Sequence, residues 1–168
     1  MTERFAAAAG RKVISRASAE ELGRLTHVVV DVGRRRVSSV IVGKGRKARL
    51  VDWERLSGFG PDAVVVDEED ALREPADETE RAAAGGDLDL IGKLALSERG
   101  NAAGTIDDVV FDPATGELLT VVVGAHERPA AELLGAGSYA VVLGAAIEGP
   151  PGEVPAGDPL SPTGPSDG

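Results

Sequence analysis

The sequence contains no cysteine, so disulfide cross-links and thiolate metal sites are excluded and packing has to hold the fold without covalent help. Aromatic residues are nearly as scarce: Phe5, Trp53, Phe59, Phe111 and Tyr139 are all that 168 residues provide. So few rings argue against the stacking platforms of single-stranded nucleic-acid binders, where each stacked base contributes roughly 1–3 kcal/mol. His27 and His126 are the only histidines, and neither has the neighbours of a zinc site or a catalytic triad. No apolar run approaches the roughly 20 residues of a membrane-spanning helix, and the first ten residues lack the long apolar stretch of an export signal. These absences predict a cytoplasmic protein with no membrane span.

Hydrophobic residues make up 42% of the chain, enough for a packed core. Charge is unevenly spread behind a net value of −10. Residues 1 to 55 carry 13 Lys/Arg against 6 Asp/Glu, whereas residues 56 to 168 carry 5 against 22. Such a dipolar chain either neutralises itself on folding or offers its basic part to an anionic partner.

The most informative presence is a repeat. Gly23-Arg-Leu-Thr-His-Val-Val-Val-Asp31 returns 81 positions later as Gly104-Thr-Ile-Asp-Asp-Val-Val-Phe-Asp112. At the same offset Val37-Ser-Ser-Val-Ile-Val-Gly43 becomes Leu118-Leu-Thr-Val-Val-Val-Gly124, and at an offset of 82 Gly10-Arg-Lys-Val-Ile-Ser15 becomes Gly92-Lys-Leu-Ala-Leu-Ser97. Two copies are too few for a solenoid, which needs about three or more units. They predict two small related units that bury apolar surface on each other about a pseudo-two-fold axis, since about 60 residues make a marginal domain alone.

Val- and Ile-rich runs closed by Gly, Asp or Pro predict strands at 12–15, 26–32, 37–42, 48–51 and 63–67, then at 94–97, 105–112, 117–124 and 139–144. Asp112-Pro-Ala-Thr-Gly116 is the turn of the clearest hairpin. Helix signals are brief: Ser18 and Glu21 have capping-box spacing with Gly23 as the stop, and 127–134 has room for a turn or two. Many short strands and little helix predict an all-β fold, a barrel or a sandwich.

The order of these blocks, with Leu50-Val-Asp-Trp53 leading into the strand at 63–66, resembles the PRC-barrel family, the small barrel shared by the H subunit of photosynthetic reaction centres and the C-terminal domain of a ribosome maturation factor. The resemblance implies tandem barrels at 8–68 and 88–146. The second departs from the first between Gly124 and Tyr139, where a standard strand is not expected. An acidic linker at 69–87, with helix possible after Pro75, joins them. Residues 147–168, rich in Pro and Gly, read as a disordered tail. The resemblance also implies an adaptor that docks on proteins, and it transfers no catalytic residues.

The leading candidate for function is a basic rim: Arg34, Arg35 and Arg36 in one turn, with Lys44, Arg46, Lys47 and Arg49 around the next. Sharing one end of a hairpin, they would hold carboxylates or phosphates through charge-assisted hydrogen bonds. The competing reading has the acidic linker fold over the rim and neutralise it. Asp107, Asp108 and Asp112 could offer oxygen ligands to a hard cation, but their spacing fits no known loop. Trp53 reads as a core plug.

The expectation is therefore a non-enzymatic protein-binding or scaffolding adaptor, needing neither cofactor nor metal and able to self-associate. A ribosome- or RNA-associated factor using the basic rim is the alternative, and a metal-dependent enzyme built on the three aspartates ranks third.

Overall fold

The structure is a computed structural model and describes residues 1–144. The expected tail at 147–168 lies outside the described residues. The first repeat contributes β2 (Lys12–Ser15), β3 (Glu21–Asp31), β4 (Arg36–Val42), β5 (Arg49–Asp52), β6 (Leu56–Phe59) and β7 (Ala63–Val66). They form a six-stranded sheet in the order β5-β4-β3-β2-β7-β6, in which β2 and β7 run parallel. The second repeat contributes β8 (Leu94–Ser97), β9 (Ala102–Phe111), β10 (Leu118–Val123), β11 (His126–Pro129), β12 (Leu133–Ala136) and β13 (Ala140–Leu143), in the same order.

The correspondence holds residue by residue. Val30 faces Val37, as Phe111 faces Leu118, and register shifts fall at matching places in both hairpins. The second copy therefore has the strands that its sequence was not expected to supply. Between β4 and β5 the chain uses six residues, 43 to 48, and between β10 and β11 only two, Gly124 and Ala125. That four-residue shortening moves the offset from 81 to 77 and hides the homology, while 3-10 turns at Trp53–Arg55 and Ala130–Glu132 remain in step.

β3 and β9 are long because each pairs with the strand before it in its sheet and then with the strand after it: the first part of β3 pairs with β2 and the rest with β4, as β9 does with β8 and β10. Gly23 sits at the changeover with φ +150°, and a Cβ there would lie 2.8 Å from Val42 Cγ1, which explains the glycine. The capping-box reading of Ser18 and Glu21 fails here. Glu21 opens β3, and its backbone pairs with Ile14 instead of starting a helix.

Neither sheet closes into the expected barrel. The end strands β5 and β6 are joined by a single 3-10 turn and do not pair. The free edge of β5 is met from outside, by Arg73: Leu50 N donates to the Arg73 carbonyl at 2.7 Å and Arg73 N to the Leu50 carbonyl at 2.9 Å. Within the expected linker, α2 (Glu78–Ala84) is capped by Asp77, whose carboxylate accepts from Glu80 N. It covers the outer face of the first sheet, where Ile41, Ala48 and Leu50 are buried with Ala84 packed against them.

One continuous core runs through both repeats. At the seam Val37 N donates to the Gly116 carbonyl at 2.8 Å and Leu118 N to the Arg35 carbonyl at 2.9 Å. Residue 118 is the counterpart of 37 and 116 that of 35, so each bond is the image of the other, which is the signature of a two-fold contact. The leading segments also cross over. Before β2, β1 (Glu3–Arg4) pairs with β9, and α1 (Phe5–Ala8) packs beside it, with Ala6 N donating to Asp108. Before β8, Asp89 reaches back to His27 on β3, Oδ2 to Nδ1 at 2.8 Å.

Phe111 lies at the centre of this arrangement, fully buried and within 5.2–6.3 Å, centroid to centroid, of Phe5, Trp53 and Phe59. Phe111→Ala is expected to cost about 3–5 kcal/mol and to lower the stability of both repeats together. Calorimetry of the variant should show one transition; two separate transitions would mean that the repeats fold independently.

Candidate functional site

The seven basic residues of the expected rim do not share a surface. Arg34 and Arg35 lie in the β3–β4 turn and Arg36 opens β4, whereas Lys44, Arg46 and Lys47 lie in the β4–β5 loop and Arg49 opens β5, at the other end of a seven-residue strand. A strand of that length spans roughly 20 Å. The expectation failed because two successive turns of a meander fall at opposite sheet ends. Arg35 and Arg36 are engaged in the seam: Arg35 Nε donates to the Leu133 carbonyl at 3.2 Å and Arg36 Nη2 to the Thr115 carbonyl at 2.8 Å. Arg34 stays exposed beside Asp31.

The 43–48 loop is a defined structure. Gly43 N donates to the Arg24 carbonyl, Lys47 N to Lys44 and Ala48 N to Gly45, and Ala48 is buried beneath it. Arg49 turns its Nη1 onto the carbonyls of Arg46 and Ala48 and meets Glu74 at 3.7 Å. Lys44, Arg46 and Lys47 are exposed and have no carboxylate partner among the described residues. Elsewhere in the first repeat the arginines at 11, 16, 24, 34, 49 and 55 all have one. Three adjacent unpaired cations on a braced turn therefore stand out in a chain of net charge −10.

The acidic segment does fold back, but mostly onto other cations. Asp67 meets Arg16 at 3.1 Å and accepts from the Ser57 hydroxyl, and Asp70 meets Arg55 at 3.2 Å. The Ser57 hydrogen bond, with help from Arg16 and Arg55, holds Asp67 below the usual carboxylate range. At the centre is Arg73, held between Asp52 at 3.0 Å and Glu80 at 2.8 Å. Hydrogen bonds to Glu80 and then Asp52 raise its pKa further. Those bonds tie α2 and the 67–80 segment to β5, a signal the sequence held only as unpatterned charge.

The three aspartates of the metal reading do not converge. Asp107 accepts from Ala125 N, Asp108 from Ala6 N and Val109 N, and Asp112 from Ala114 N within its turn. Among the described residues, no three His, Asp or Glu side chains come together as a metal-ligand set. His27 and Asp89 wall a cavity of about 270 Å³ against Phe5, Leu25 and Ile91, and His126 is exposed. No helix among the described residues is long and apolar enough to cross a membrane.

The duplicated sheets, with their common strand order and parallel closing pair, define a tandem β protein whose two units share one core. A family profile for the PRC-barrel domain matches residues 5–73 and again 87–138, well over half of the chain. The protein belongs to the PRC-barrel domain family, with two tandem copies. Comparison with curated proteins finds no matching relative.

Glu80 is held at about 2, against an ordinary 4.5, chiefly by the Arg73 hydrogen bonds, with Ala76 N adding to them. A carboxylate whose pKa falls on folding stabilises the fold above its unfolded value and loses that contribution as protons are added. Glu80→Gln is expected to cost about 1–2 kcal/mol at pH 7 after allowing for solvent screening around the half-exposed Arg73. The gap to the parent should close as pH falls from about 5 to about 2. Urea unfolding across that range checks it, and an unchanging gap would show that the ion pair contributes nothing.

Proposed function

We propose that this PRC-barrel protein is a non-enzymatic protein-binding or scaffolding module that docks an anionic segment of a partner protein on Lys44, Arg46 and Lys47. The observation that carries this reading is the braced β4–β5 loop with its three unpaired cations, which the first repeat has and the second lacks. Two copies of one unit have the same fold requirements, so a loop confined to one copy is not needed for folding. Family membership supports a docking role, and fixed cations on a short turn attract carboxylates at close range. A protein segment fits better than nucleic acid, because the chain has only five aromatic residues and none of them lies in the 43–48 loop to stack a base. Arg34, Arg35, Arg36 and Arg49, occupied within the fold, stand outside this surface.

Reversing charge at the loop with Lys44→Glu, Arg46→Glu and Lys47→Glu should leave the melting temperature within about 2 °C, as expected of exposed positions. Affinity for a labelled glutamate-rich peptide should fall at least about tenfold, and that affinity should weaken with salt. Equal binding by variant and parent would remove the loop from the reading. Preferential binding of single-stranded RNA over the peptide would favour the RNA-associated alternative.

A further inference from the structure

The pseudo-two-fold axis provides an internal control: wherever the two halves of the seam differ, one shows what the other lacks. In the first-repeat turn, Asp31 Oδ1 accepts from Arg34 N and its Oδ2 lies 3.8 Å from Arg34 Nε. The next residue, Arg35, crosses the seam and its Nε donates to the Leu133 carbonyl on β12. The counterparts in the second repeat are Asp112, Thr115, Gly116 and, for Leu133, Leu56 on β6. The acceptors are kept and both arginines are gone. Asp112 keeps its local bond to Ala114 N at 2.8 Å but has no cation partner among the described residues, and no side chain there donates to the Leu56 carbonyl.

A groove of about 520 Å³ runs along this side of the seam, walled by Trp53, Leu56 and Phe59 on one side and by Asp112, Pro113 and Ala114 on the other. The Trp53 ring takes the side-chain space at Gly116, where a Cβ would lie 2.9 Å from Trp53 Cε2, so the ring holds the turn at glycine. Phe59 already carries the Arg11 guanidinium 5.5 Å from its ring centroid, which shows that these rings tolerate a neighbouring guanidinium.

We infer that this groove is a docking site for an arginine side chain on an extended segment of a partner protein, its guanidinium meeting Asp112 and the Leu56 carbonyl as Arg34 and Arg35 meet Asp31 and Leu133. A forked planar donor satisfies a carboxylate and a carbonyl together, which a lysine ammonium does less well. The excess negative charge of residues 56 to 168 attracts such a partner. The site is separate from the Lys44–Lys47 loop in residues and in charge sign, and it does not rest on the function proposed for that loop.

Trp53 is the only tryptophan, so its fluorescence reports on this groove directly. The full chain would be titrated with acetyl-Gly-Arg-Gly-amide and with the lysine and citrulline versions of that peptide. A saturable fluorescence change with the arginine peptide is expected, at least fivefold weaker with lysine and with citrulline. Asp112→Asn keeps an oxygen for Ala114 N and should weaken binding at least fivefold. Thr115→Arg, which supplies the missing counterpart of Arg34, should weaken it as well by occupying Asp112 from within. The Lys44, Arg46 and Lys47 reversals should leave arginine binding in place whether or not the loop's own reading survives. No saturable change up to millimolar peptide, or equal response to lysine, would overturn the inference. So would unaltered binding in the Thr115→Arg variant, which leaves Asp112 and its bond to Ala114 N in place and gives up only the bond from Glu117 N to the Thr115 hydroxyl.

Discussion

Everything else in the structure depends on a shortage of apolar side chains within each repeat. About sixty residues with one or two rings make only a marginal core alone, and the two sheets answer this by sharing one. Phe111 is the physical expression of that constraint. It belongs to the second repeat, yet two of its three ring neighbours, Trp53 and Phe59, come from the first, and the third, Phe5, comes from the segment leading into it. The backbone bonds between residues 37 and 116 and between 118 and 35 then fix the angle at which the halves meet. With the seam set, open sheets suffice, because the surface a barrel would enclose is covered by the other half and by α1.

Duplication also separates what folding requires from what it does not. Strand order, pairing register and the leading-segment crossings are common to both halves. Four departures from symmetry stand out: the basic loop after β4, the helix over the first sheet, the aromatic pair Trp53 and Phe59, and the exchange of Arg34-Arg35-Arg36 for Thr115-Gly116-Glu117. The helix has a structural cause, since Leu50 on the outer face of the first sheet has Glu127 as its counterpart in the second. The exchanged turn has one in part, since the Trp53 ring holds Gly116 at glycine, whereas the loop has none.

Much of the fold was legible in the sequence because β periodicity and a repeat are both local patterns. The Val-rich hairpins, the turn at 112–116, the glycines opening β3 and β9 and the helix after Pro75 all announce themselves. Strands β6, β11 and β12 did not, because Leu56-Ser-Gly-Phe59, His126-Glu-Arg-Pro129 and Leu133-Leu-Gly-Ala136 lack alternation and owe their conformation to the neighbours they pair with. The two ends of the basic stretch are not separable in the sequence for a similar reason: the closeness of Arg36 and Lys44 along the chain says nothing about the strand that holds them apart. The partners of Arg73 were invisible too, since three of the charges that meet there come from segments with no pattern connecting them. The groove beside Trp53 is legible only in hindsight, from aligning Arg35 with Gly116 across a seam the sequence does not display.

The crossing of the leading segments has a bearing on the order in which the chain can become native. Glu3 and Arg4 pair with Phe111 and Val110, residues synthesised more than a hundred positions later. During translation the first sheet therefore emerges with Trp53 and Phe59 uncovered and with its own leading strand waiting for a partner. It has to persist in that state until β9 arrives. The acidic segment between the repeats bridges this interval: its ion pairs to Arg16, Arg55 and Asp52, and its helix over Ile41 and Leu50, involve only residues already made. In temporal terms the segment is a provisional cover that lets the first half wait for the second.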